Sequence, residues 1–127
     1  MIASLDHLVL TVRDLNTSAA FYQRVLGMQL EIFGEGRMAL HFGAQKINLH
    51  PADGPYAPHA TAPLPGSADL CFLSDWPLDQ VLNHLDQTGI AIEQGPVRRS
   101  GANGPILSVY IRDPDGNLLE IAQPLAD

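Results

Sequence analysis

Apolar and polar positions alternate with a period of two along Leu5-Asp-His-Leu-Val-Leu-Thr-Val12, which predicts a strand with His7, Val9 and Thr11 on one face and Leu8 and Leu10 on the other. The period then lengthens. Leu15, Ala19, Tyr22 and Leu26 recur at helical spacing, and Phe21 and Val25 widen the stripe. Asp14 or Asn16 can cap that helix, and Gly27 can end it. Three short strands are predicted next, over 28–33, 37–42 and 45–50, separated by turns around Gly34-Glu35-Gly36 and Gly43. The stretch 51–65 breaks the pattern with Pro51, Pro55, Pro58, Pro63 and Pro65 and reads as a linker or long surface loop.

The second half repeats the order. A strand is predicted over 68–74. A helix follows from Pro77, with Leu78, Val81, Leu82 and Leu85 inward and Gly89 at its end. A short strand is expected over 90–93, then a flexible loop at Ser100-Gly-Ala-Asn-Gly104, then a hairpin of 106–111 and 118–122. Asp113-Pro-Asp-Gly-Asn117 supplies the hairpin turn, because Pro sets φ at its first corner and Gly accepts positive φ. The chain thus reads as two βαβββ modules, about 3–50 and about 66–124, in one domain over 1–127. The fold class is α+β, the modules pairing into a curved mixed β-sheet with helices on its convex side.

Composition narrows the function. A net charge of −7 argues against non-specific binding to nucleic acid or anionic membrane, which needs basic surface. No apolar run is long enough to span a membrane, and the N-terminus lacks a signal-peptide pattern. The single cysteine, Cys71, permits no internal disulfide, so a cytoplasmic setting is the default expectation. P-loop, GxGxxG, paired CxxC and GxSxG signatures are absent.

The candidate chemistry lies on the strands. Glu120 sits inside an apolar strand, where a carboxylate is costly unless it meets a cation, a proton or a metal. His7 on the first strand and Asp69 at the matching place in the second module are its expected partners. One imidazole and two carboxylates on a rigid sheet make a candidate divalent-metal site with open positions. Asn48 and His50 share a face near the end of the first module and are candidates for a fourth ligand. Cys71 shares the face of Asp69; as a lone thiol it reads more simply as a small buried hydrophobe. Arg98-Arg99 is the one adjacent basic pair, and Arg99, Tyr110 and Cys71 are candidates for substrate contacts.

The opening Leu5–Val12, the helix Phe21-Tyr-Gln-Arg-Val-Leu-Gly-Met28 and the closing Asp113-Pro-Asp-Gly-Asn-Leu-Leu-Glu120 together resemble the vicinal-oxygen-chelate superfamily. That group includes glyoxalase I, fosfomycin-resistance, bleomycin-binding and extradiol dioxygenase proteins. Phe42–His50 and Pro65–Cys71 look most like the glyoxalase-domain-containing-protein-5 group, which includes bacterial proteins described as virulence-related. The resemblance implies a divalent metal with ligand positions at His7, Asn48, Asp69 and Glu120; one nitrogen and two carboxylates, from His7, Asp69 and Glu120, suit Fe, Mn, Ni, Co or Zn. It departs at Asn48, where glyoxalase I has a carboxylate, and at Asp69, where His is common. A glyoxalase-type lyase or isomerase acting on a small oxygenated substrate, with Glu120 as its base, is the activity implied. A dioxygenase and a non-catalytic small-molecule or drug-binding protein are the alternatives. A homodimer is also expected.

Overall fold

The computed structural model describes residues 1–126. The elements run β1 (His7–Val12), α1 (Leu15–Leu26), β2 (Gln29–Phe33), β3 (Arg37–Phe42), β4 (Gln45–Pro51), β5 (Asp69–Leu73), α2 (Leu78–Gln87), β6 (Gln94–Gly101), β7 (Gly104–Arg112) and β8 (Leu118–Pro124). Strand hydrogen bonding stays within each βαβββ module. It gives two four-stranded mixed sheets, ordered β1-β4-β3-β2 and β5-β8-β7-β6. In both, the first strand lies parallel to the last, and the remaining pairs are antiparallel. The chain divides into two compact units, Met1–Ser67 and a second beginning at Ala68.

In the first unit, Asp14 caps α1, its carboxylate accepting from the Thr17 N–H at 2.8 Å. Gly27 closes the helix at φ 69°, a conformation a side chain would strain. The face of α1 bearing Ala19, Phe21, Tyr22 and Val25 is buried, as are Leu10, Val12, Leu40, Ile47 and Leu49 of the sheet. In the second unit α2 buries Leu78, Val81 and Leu85, while Leu82 is only half-buried. The first helical N–H, at Leu78, donates to Gln123 of β8 at 2.8 Å. No helix among the described residues is long and apolar enough to cross a membrane.

Two expectations fail in the second unit. Residues 90–93 form no strand; the strand there is β6, starting at Gln94. It is an edge strand, mostly exposed and polar, so hydrophobic alternation does not mark it. Its pairing with β7 shifts between Gln94 and Val97, across a Pro96 that has no N–H to give. Gly95 is required there, because a Cβ would run into the Ser108 carbonyl. Ser100–Gly104 is likewise not a loose loop. Gly101 pairs with Gly104, leaving Ala102-Asn103 as a two-residue hairpin turn.

The turn between β7 and β8 is fastened by its side chains. Asp113 Oδ1 accepts from the N–H groups of Asp115 and Asn117, each at 2.9 Å, and Oδ2 accepts from Asn117 Nδ2 at 2.7 Å. Asn117 Oδ1 in turn accepts from the Ala68 N–H at 2.9 Å, which holds the entry to β5 beside β8. The predicted turn is therefore also the clamp that places Asp69 and Cys71 next to Glu120.

Candidate functional site on the polar sheet faces

Strand parity sorts the candidate residues into two polar faces, one per unit. On the second unit, Cys71 of β5 and Tyr110 of β7 flank Glu120 of β8 in register. The buried Ser108 hydroxyl donates to Glu120 Oε2 at 2.5 Å. A charge-assisted bond of this length fixes the carboxylate and leaves Oε1 for other work. Asp69, two residues from Cys71 on the same strand face, is exposed. Cys71 is an exposed residue rather than the buried hydrophobe expected, because its strand face opens onto the cavity; partial burial of its thiol, followed by the charge of Glu120 and a hydrogen bond to it, pushes the thiol up to about 11. The thiol is therefore protonated near neutral pH and is a poor nucleophile.

Arg99 Nε donates to the Tyr110 hydroxyl at 2.9 Å, with the guanidinium 5.6 Å from that ring's centroid. A cavity of about 580 Å³ opens here, lined among others by Cys71, Leu73, Arg99, Ile106, Glu120 and Leu125. The sequence-predicted contacts Arg99 and Cys71 thus share one cavity with Glu120, and Tyr110 braces Arg99. Arg112 shares the strand face of Tyr110, on the rung of Asp69, but is engaged elsewhere. It forms a bidentate pair with Glu93, at 2.9 and 3.1 Å, and also donates to the Gly116 carbonyl.

On the first unit, His7, Val9 and Thr11 of β1 lie in register with Lys46, Asn48 and His50 of β4. The Asp6 carboxylate lies 2.8 Å from His7 Nδ1. A carboxylate only accepts, so Nδ1 carries the proton and the Nε2 lone pair is available, as in a metal-bound histidine. Asn48 and His50 are 8% and 3% exposed, and Asn48 Oδ1 and His50 Nδ1 have no hydrogen-bond partner among the described residues. His50 Nε2 lies 3.4 Å from Arg37 Nη2. Burial first, then the charges of Arg37 and His59, hold the His50 imidazole below its ordinary value.

Sequence reasoning missed Arg37, Tyr56 and Ser108. The signal for Arg37 was parity, since it shares a strand face with Ala39, which pairs with Asn48. Tyr56 lies in the Pro-rich segment and gave no signal. Among the described residues, no three His, Cys, Asp or Glu side chains gather closely enough to hold a metal ion.

The family model described as the Glyoxalase/Bleomycin resistance protein/Dioxygenase superfamily matches residues 4–121. Virulence protein STM3117 of Salmonella typhimurium is 54% identical over 123 residues, covering 97% of this chain and 85% of that protein. Its crystal structure superposes with a TM-score of 0.97, covering 98% and 99% of the two chains at 53% identity. The glyoxalase domain-containing protein RDO1 of Mycosarcoma maydis is 50% identical over 121 residues, covering 95% of this chain and 68% of that protein. The structure of a lactoylglutathione lyase from Agrobacterium tumefaciens aligns at 25% identity and a TM-score of 0.73, over 97% and 95% of the two chains.

Proposed function

The chain belongs to the glyoxalase/bleomycin resistance protein/dioxygenase superfamily, and on that premise we propose that it is a metal-dependent lyase or isomerase of glyoxalase type acting on a small oxygenated substrate. The observation that carries this reading is Glu120, a carboxylate oriented by Ser108 on a cavity of about 580 Å³, a size suited to a small molecule. With Oε2 held by Ser108, Oε1 is the oxygen that takes or returns a substrate proton. Arg99, braced on Tyr110, supplies the positive charge that orients an oxygenated or anionic group. Leu73, Ile106 and Leu125 give the cavity an apolar wall beside it.

The donors fit a divalent ion in kind. His7 carries its proton on Nδ1 and offers Nε2, and Asp69 and Glu120 offer carboxylate oxygens. These three would hold the ion, which would supply Lewis acidity toward an oxygenated substrate. His50 is poorly suited as a further ligand, because Arg37 donates to its Nε2 and its Nδ1 then carries the ring proton. A homodimer is the proposed assembly.

Metal analysis of protein purified without chelator tests this. The expected result is a stoichiometric divalent ion, lost in both His7→Ala and Glu120→Gln. Absence of metal under every loading condition removes the enzymatic reading. A non-catalytic binding protein is then the alternative, favoured by the cavity's apolar wall and by a thiol too basic for nucleophilic catalysis. It predicts that His7 and Glu120 can be replaced without loss of ligand affinity. Oxygen uptake with catechol-like substrates would instead assign a dioxygenase.

A further inference from the structure

The polar face of the first unit holds a cation that no carboxylate neutralises among the described residues. The Arg37 guanidinium carbon lies 4.4 Å from the Tyr56 ring centroid and 5.6 Å from that of Phe33. Its Nη2 lies 3.4 Å from His50 Nε2, and the His50 ring meets Tyr56 edge-on at 5.0 Å between centroids. Two aromatic rings and an imidazole therefore fix the guanidinium before any ligand arrives, which lowers the entropy lost on binding.

The polar atoms of this face follow from donor and acceptor rules. A guanidinium only donates, so His50 Nε2 accepts and the neutral ring carries its proton on Nδ1. That Nδ1–H is a buried donor without a partner. Asn48 Oδ1, two residues away on the same strand face, is a buried acceptor without a partner. Each unmade bond is costly unless a ligand or an ordered water makes it. Arg37, His50 and Asn48 together offer a fork for an oxyanion, one further donor and one acceptor. A bare carboxylate would leave the acceptor idle, whereas a hydroxy acid uses all three. Tyr56 is the removable wall, because it belongs to the irregular Pro-rich segment and touches Arg37 and His50 through ring contacts.

We propose that Arg37, His50 and Asn48 form a recognition site for a small hydroxy acid, its carboxylate on Arg37 and its hydroxyl between His50 Nδ1 and Asn48 Oδ1. This gives Asn48 and His50 a role other than metal ligation, and it does not depend on the chemistry at Glu120. The competing roles are an aromatic clamp that only pins Tyr56 and a pair of polar atoms satisfied by water.

The test is titration of the full chain with glycolate and with acetate, followed by the Arg37 Nε–H and His50 ring resonances. Saturable shifts are expected, with glycolate binding about three- to tenfold tighter than acetate. Arg37→Lys, which loses the fork, should weaken both acids at least about tenfold. Asn48→Leu, which removes an unpaired acceptor, should keep acetate binding and erase the preference for glycolate. Absence of saturable shifts in the unsubstituted chain overturns the proposal, leaving clamp or water. Equal affinity for the two acids, or undiminished binding in a folded Arg37→Lys variant, also overturns it.

Discussion

The two sheets share one framework and put different chemistry on it. Their registers align rung by rung. Val9, Asn48 and Ala39 stand side by side in the first unit, and Cys71, Glu120 and Tyr110 in the second. On the next rung, Thr11 and His50 correspond to Leu73 and Ala122, and Arg37 takes the place of Ser108. The second unit has small Ala122 there, and Ser108 turns to the carboxylate. The first unit has His50 there, and Arg37 turns to the imidazole and two aromatic rings. Asn48 is then left with a buried oxygen that nothing serves. The pair of residues on this rung, Ala122 with Ser108 or His50 with Arg37, thus decides whether the neighbouring polar group is an oriented acid or an unfinished binding group.

The framework itself gives the largest expected effect. Ile47 and Leu119 occupy matching positions, paired with Leu8 and Leu70, and both are 0% exposed. Replacing either by Ala should cost about 3 kcal/mol, from lost burial plus the cavity left behind. Urea unfolding of both variants checks it; a loss below about 1 kcal/mol in only one would show that the two cores are not equivalent.

A smaller contrast tests the polar rungs. Ser108→Ala removes the hydrogen of a half-buried charge-assisted bond and should cost about 1–2 kcal/mol. Asn48→Leu removes an acceptor that has no partner and should be neutral or stabilising by up to about 1 kcal/mol. Opposite signs support the contrast. A destabilising Asn48→Leu would mean that the amide makes a bond with ordered water.

Much of this was legible in the residue pattern, and the reasons are local. The Asp14 cap and the Gly27 stop follow from backbone rules that act within one turn of helix, and both are present. The shared face of Asn48 and His50 follows from strand parity alone. Glu120 was conspicuous because a carboxylate interrupts an apolar run, but its donor Ser108 was not, since a serine in a strand looks the same whether it faces water or a carboxylate. Strand β6 was hidden because an edge strand need not alternate. Arg37 and Tyr56 are 19 residues apart in the numbering, and no spacing rule joins a strand arginine to a loop tyrosine. Their contact is made by tertiary folding, which local pattern does not encode.

The two faces should also respond to opposite ends of the pH scale. His50 is held below its ordinary value of 6.5, chiefly by burial. As pH falls through that value the unfolded chain takes up the proton first, so stability declines toward acid and is retained above it. Cys71 is raised from 9.0 to about 11, again chiefly by burial. Between those values the unfolded chain releases a proton that the folded chain keeps, so stability declines toward alkali. Unfolding midpoints measured across pH should therefore show an acid limb flattened by His50→Phe and an alkaline limb flattened by Cys71→Ala, each leaving the other limb in place. The finest effect lies within the alkaline limb. Glu120→Gln removes the charge that is second among the causes acting on Cys71 but leaves the burial. The pH midpoint of Cys71 alkylation should move down from about 11 yet stay above 9.0. A midpoint unmoved by Glu120→Gln would mean that the thiol and the carboxylate do not meet, and the cavity would lose the pairing on which the second face was built.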